Sequence, residues 1–120
     1  MCREVELNMT ITWIYGQSKS GKSTLARKLA EHDKAILLDG DQMRSTICTD
    51  LGFSPDDRRE NNMRIARLAR LLDTQGFNVI VATICPYRKL REEVRAITGC
   101  KFIYLEGGLV RDDYPFEVGA

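Results

Sequence analysis

Gly16-Gln17-Ser18-Lys19-Ser20-Gly21-Lys22-Ser23 constrains this chain more than any other stretch. It completes a GxxxxGK[ST] pattern, and its surroundings suit that pattern. An apolar, β-branched run (residues 9–15, MTITWIY) precedes it and a helical period opens at Lys22. Gly16 and Gly21 let the backbone wrap around a phosphate so that successive N–H groups point at oxygen, and the helix N-terminus adds partial positive charge. The spacing predicts that Gly16, Gln17, Ser18, Lys19, Ser20, Gly21, Lys22, Ser23 and Thr24 hold a nucleoside triphosphate. Lys22 would bridge the β- and γ-phosphates, and the Ser23 hydroxyl would coordinate Mg²⁺. Lys19 fills the fourth loop position, where glycine is common. Its ammonium either lies against the phosphates or points to solvent, and solvent is the expectation.

A loop of this kind needs an α/β frame, and the rest of the chain supplies one. Residues 22–31 carry Leu25, Ala26 and Leu29 on one helical face, and residues 35–38 form a second short apolar run. Residues 41–50 are ambiguous, with a short helix as one reading. Ser54-Pro55-Asp56-Asp57 is a strong helix start, with serine as N-cap, proline at N1 and acids in the first turn. That helix should run to about Gln75, where Gly76 stops it. Residues 78–84 (NVIVATI) read as a strand, 86–98 as a helix closed by Gly99, and 101–105 (KFIYL) as a fourth strand. Helices between all the strands imply parallel pairing through right-handed crossovers. The expected fold is therefore a P-loop NTPase domain over residues 1–120, a three-layer α/β/α sandwich around a parallel sheet of about four strands.

Composition narrows the function. The chain has 120 residues and a net charge of +1, so bulk attraction to nucleic acid or to a membrane surface is not expected. No run approaches 18 apolar residues, and the opening MCREVELN lacks the apolar core of a secretory signal. The four cysteines form no CxxC pair, a pattern that fits reduced thiols in the cytoplasm. A single histidine, His32, removes Ser-His-Asp and multi-histidine metal chemistry.

Asp39 and Asp41 close the second apolar run, at the carboxyl edge of a parallel sheet where ligands gather. Asp39 fits a role beside Ser23 in the Mg²⁺ shell, and Asp41 fits a base for an attacking hydroxyl. No NKxD or LSGGQ segment is present, and Asp73-Thr74-Gln75-Gly76 reads as a helix end rather than a DxxG motif. The remaining class is a small-molecule kinase.

The chain resembles the adenylylsulfate (APS) kinases, which phosphorylate the 3′-hydroxyl of adenosine 5′-phosphosulfate with ATP. The likeness is carried by residues 16–25 (GQSKSGKSTL), 38–44 (LDGDQMR), 51–61 (LGFSPDDRREN), 64–66 (RIA), 76–82 (GFNVIVA) and 84–88 (ICPYR). The resemblance implies Mg-ATP as phosphoryl donor and a cytoplasmic enzyme of sulfate assimilation, catalysis by Lys22 and Asp41, and a nucleotide acceptor held by Asp41, Arg44, Phe53, Arg58, Asn61 and Ile84. Phe53 would stack on the adenine of APS, with core anchor as its plainer reading. Arg64, Arg67 and Arg70 are expected to be solvated helix charges. The family often forms dimers, so a homodimer is possible.

Departures from the family pattern also stand out. Cys85 occupies a position where the family usually has serine, and it reads as a small buried thiol rather than a nucleophile. After the fourth strand the family's lid and its lysines are expected to be deleted, with Leu109 near the place of a second stacking phenylalanine. The stretch DDYPFE resembles a later IDSPYE segment of the family, and the final strand and helix are expected to be absent. Two other readings remain: a non-catalytic nucleotide-binding module, and, more weakly, a nucleic-acid-end kinase prompted by the arginine-rich helix.

Overall fold

A run that is apolar at nearly every position, rather than at every second one, must be covered on both faces. The computed structural model, which describes residues 11–108 and 116–117, places such a run at the centre. Strand β1 (Ile11–Gly16) directs Trp13 and Tyr15 to one face and Ile14 to the other, with Trp13 and Ile14 fully buried. The chain continues through α1 (Lys22–Asp33), β2 (Ile36–Asp39), α2 (Gly40–Thr46), α3 (Pro55–Thr74), β3 (Val79–Thr83), α4 (Arg88–Thr98) and β4 (Lys101–Leu105).

The four strands form one parallel sheet in the order β2-β3-β1-β4. On one face Trp13, Tyr15, Val79 and Val81 pack with Ile65, Ala66 and Ala69 of α3 and with Leu90 and Val94 of α4. On the other face Ile14, Ile80 and Ala82 meet Ala26 and Ala30 of α1. This is the expected three-layer α/β/α arrangement. The buried Trp13 indole donates to Thr83 Oγ1 at 2.9 Å, so the largest core side chain leaves no polar group unpaired.

Local chemistry explains the boundaries. Ser54 accepts from Asp57 N at 3.1 Å and caps α3, with Pro55 in its first turn. Gly76, at φ 91, takes the left-handed turn that ends it. The ambiguous stretch becomes α2, shorter than the 41–50 window. Several bounds shift by a residue or two from the sequence reading, and two of these shifts have a visible local cause. Strand β3 stops at Thr83 because Cys85 turns left-handed, at φ 43. Helix α4 begins at Arg88 rather than Pro86, since Tyr87 is extended (φ −103, ψ 129).

The order positions a site. From the neighbouring strands β1 and β3 the chain departs to opposite faces, into α1 and α4, and leaves a crevice at their carboxyl ends.

Candidate functional site

The phosphate loop is shaped by its neighbours. A Cβ on Gly16 would lie 2.5 Å from the Leu105 carbonyl oxygen, so no side chain fits there. Lys19 and Gly21 both have positive φ, 61 and 97, and Ser20 N donates to Gln17 O at 3.2 Å. Alternating backbone handedness of this kind turns N–H groups into a concavity suited to an anion. Gly108, just past β4, also packs on the loop: a Cβ there would stand 2.5 Å from Ser18 O and 2.9 Å from Ser20 N. Lys22 Nζ donates to Gln17 O at 2.8 Å, folded back over its own loop. Burial pulls this ammonium below its usual pKa, and the nearby carboxylates of Asp41 and Asp39 oppose that pull.

Asp39 joins two elements. One carboxylate oxygen accepts from Asp41 N at 2.9 Å and Gln42 N at 3.2 Å, capping α2, and the other accepts from the Ser23 hydroxyl at 2.7 Å. Ser23 and Asp39 present oxygen ligands of the kind a hard divalent cation selects. Among the described residues no cluster of three or more His, Cys, Asp or Glu could hold a metal without other ligands. Ser20 Oγ is buried in the loop without a partner.

The acceptor side is built around Phe53, which is 53% exposed. The core-anchor reading of this residue is therefore wrong. Its ring is flanked by guanidinium groups, Arg44 at 4.5 Å and Arg58 at 5.5 Å from the centroid. Arg44 donates to Gly52 O at 3.0 Å and Asp41 Oδ1 at 3.1 Å, while Arg58 donates to Phe53 O at 2.9 Å. Arg58 is 1% exposed, so it is no solvated helix charge. Such bonds place two guanidinium groups beside a half-exposed ring, an arrangement with the chemistry to meet an aromatic group that carries anionic charge.

Two cavities meet here. The first, about 390 Å³, is lined by Lys22, Ser23, Asp39, Asp41, Arg44 and Arg58, and also by Ser18, Lys19, Gly21 and Thr24. The second, about 450 Å³, includes Phe53 and shares Asp41, Arg44, Arg58 and Ile84 with the first. Gly16, Gln17 and Ser20 support the loop without lining either cavity. Asp41 thus stands between the phosphate loop and the aromatic platform, with its carboxylate exposed.

Not every expected residue is where the sequence placed it. Asn61 is buried, donates to Gly40 O at 3.3 Å and lines neither cavity, whereas Asn62 lines the first one. One step along α3 separates them, and an adjacent pair of asparagines gives no sequence signal for which turns inward. Cys85 and Pro86 also line the first cavity. Desolvation pushes the fully buried Cys85 thiol up to about 12, so it stays protonated and unreactive, as expected of a small buried thiol. Arg67 and Arg70 are exposed on the outer face of α3, as expected, with Arg70 also 3.0 Å from Asp73, whereas Arg64 is half-buried and holds Asp50 at 2.9 Å and Glu60 at 2.9 Å. Leu109 and the expected lid deletion fall outside the described residues.

The adenylylsulphate kinase family model matches residues 8–109 of this sequence. The chain belongs to the adenylylsulphate kinase family. It is 45% identical over 94 residues to the adenylyl-sulfate kinase of Klebsiella pneumoniae, covering 74% of this chain and 47% of that protein. The chain thus spans about half the length of the curated relatives it matches. Among solved structures it is similar to the Mycobacterium tuberculosis APS kinase CysC in complex with AMPPNP and APS. That match has a TM-score of 0.67 and 35% identity, over 81% of this chain and 61% of the other. It is also similar to the hexameric APS kinase from Thiobacillus denitrificans, with a TM-score of 0.65 and 30% identity over 93% and 24% of the two chains. The phosphate loop and residues 38–61 of this family member lie within the matched region.

Proposed function

We propose that this chain carries the donor and acceptor sites of a kinase-like domain, over residues 1–120, that moves the γ-phosphoryl of Mg-ATP to the 3′-hydroxyl of APS or a related nucleotide. The observation that carries the reading is the place of Asp41 between two half-sites, the Lys22–Ser23–Asp39 group and the Phe53 platform. Family membership supports the same reading, as does the APS complex of the Mycobacterium relative.

In this reading the N–H groups of residues 16–24, Lys19 among them, receive the phosphates, and Lys22 leaves Gln17 O to bridge the β- and γ-oxygens. Ser23 and Asp39 hold Mg²⁺, which when bound neutralises charge developing on the phosphates. The adenine of the acceptor stacks on Phe53. Arg44 and Arg58 hold its anionic groups, Ile84 closes the far wall, and Asn61 acts through the Gly40 carbonyl it supports. Asp41 takes the proton of the attacking hydroxyl. We place the enzyme in the cytoplasm and infer a homodimer, since among the described residues β2 and β4 are the edge strands of the sheet.

The test is ADP release from Mg-ATP with and without APS, alongside Lys22→Ala and Asp41→Ala. APS-dependent release that falls roughly a hundred-fold or more in both variants is expected. Nucleotide binding with turnover no higher than that of Lys22→Ala would leave a nucleotide-binding module instead.

A further inference from the structure

Ile84-Cys85-Pro86, directly after β3, forms part of the cavity wall. Its backbone is bent as a non-glycine residue rarely allows, with Cys85 at φ 43. Such a bend costs about 1–3 kcal/mol and persists only where the surroundings enforce it. What enforces it comes from α4 and from residues 116–117. Arg91, 3% exposed, donates from Nη1 to Cys85 O at 2.8 Å and from Nη2 to Glu117 O. The guanidinium lies 4.5 Å from the Tyr15 centroid and 5.9 Å from that of Phe116. Phe116 stacks on Tyr15 at 6.3 Å and on Tyr104 at 5.8 Å.

Glu117 grips the same wall from its other end. Its N–H donates to Pro86 O at 2.8 Å, and its carboxylate accepts from Arg88 N at 2.8 Å. That second bond caps α4, whose N-cap residue Tyr87 makes no side-chain cap bond of its own. The carbonyls of Cys85 and Pro86 and the first N–H of α4 therefore all end on Arg91 or Glu117.

We propose that Arg91, Phe116 and Glu117 form a clasp that sets the position of the 84–86 wall and thereby the affinity for the acceptor. They are positioning residues, since none of the three lines either cavity. The inference rests on the phosphotransfer reading, which defines the acceptor. The clasp's hydrogen bonds end on residues 85–88, while its ring contacts fall on Tyr15 and Tyr104 behind the sheet. It reaches the acceptor through Ile84, the wall residue that also lines the Phe53 cavity, and none of its hydrogen bonds is made to residues 18–24.

The test uses the full chain with Glu117→Ala, Phe116→Ala and the conservative Glu117→Gln. It measures KM for APS, kcat, the Kd for ATP, and amide hydrogen exchange at residues 84–88 and 18–24. Glu117→Ala and Phe116→Ala are expected to raise KM for APS about ten-fold, with kcat and the ATP Kd within about two-fold. Exchange should quicken at 84–88 and stay unchanged at 18–24. Glu117→Gln should behave as wild type, because its amide oxygen still accepts from Arg88 N. An unchanged KM for APS in both alanine variants overturns the proposal, even with a lower Tm. If the wild-type chain shows no APS turnover, the phosphotransfer reading fails and exchange alone decides: faster exchange at 84–88 supports the clasp, and unchanged exchange overturns it.

Discussion

Lys19 shows how a single residue can oppose its own backbone. A lysine at φ 61 carries a steric penalty of about 1–2 kcal/mol that glycine would not. Its side chain is exposed, in keeping with the solvent-pointing reading. Replacing it removes the penalty, although glycine gives part of that back through the entropy of the unfolded chain. Lys19→Gly is expected to raise Tm by a few degrees, corresponding to about 0.5–1 kcal/mol. Since glycine keeps the N–H that lines the loop, the ATP Kd should stay within about three-fold. Thermal melts and calorimetric titration check the two halves separately. A Kd raised far beyond that range would show that the ammonium reaches the phosphates.

At the scale of elements, Asp39 ties α2 to the phosphate loop through one carboxylate. Asp39→Asn separates its two roles. The amide oxygen still caps α2, so Tm should change by no more than a few degrees. The lost charge weakens the pairing with Mg²⁺, so APS-dependent turnover should fall at least about ten-fold, with partial recovery at high Mg²⁺. A Tm loss large enough to unfold the chain would instead make the charged carboxylate and its bond from Ser23 structural.

This scale also shows what the sequence could tell. Helix α3 and strand β4 were legible because their signals are local: Ser54 and Pro55 at one end and Gly76 at the other, and a KFIYL run that pairs over its whole length. The start of α4 was not, because its cap, Glu117, comes from 29 residues further on. The phosphate loop and Asp39 were likewise local. Phe53 was ambiguous because the same hydrophobic letter serves a core or a platform, and only the flanking Arg44 and Arg58 distinguish them.

Stability belongs to the whole molecule, and its pH dependence is set by what the core does to buried thiols. In the unfolded chain Cys85 ionises near its ordinary 9.0, whereas in the folded chain burial pushes it up to about 12. Between those values the native state keeps a proton that the unfolded state has released, so stability is intact below about 9 and declines as pH rises toward 12. Cys100, also raised by desolvation, adds to the decline. Lys22 works in the opposite sense, since its folded pKa is lowered and loss of its proton relieves a buried charge. Urea unfolding at pH 8 and pH 10.5, for wild type and Cys85→Ser, isolates the thiol. The wild-type loss between the two pH values should exceed that of the serine variant, which has no thiol to ionise there. Equal losses would mean that Cys85 contributes nothing to the alkaline limit.

The order of the sheet also bears on how the chain leaves the ribosome. Strand β1 pairs with β3 and β4 and not with β2, so the central strand emerges early and waits for both of its partners. The phosphate loop is translated well before Leu105 and Gly108, which shape its outer side. Until β3 emerges, the apolar strand β1 has no partner to pair with. The loop is thus completed only after β4, and a nascent chain stalled before β3 would expose residues 11–15 (ITWIY) as an unpaired strand.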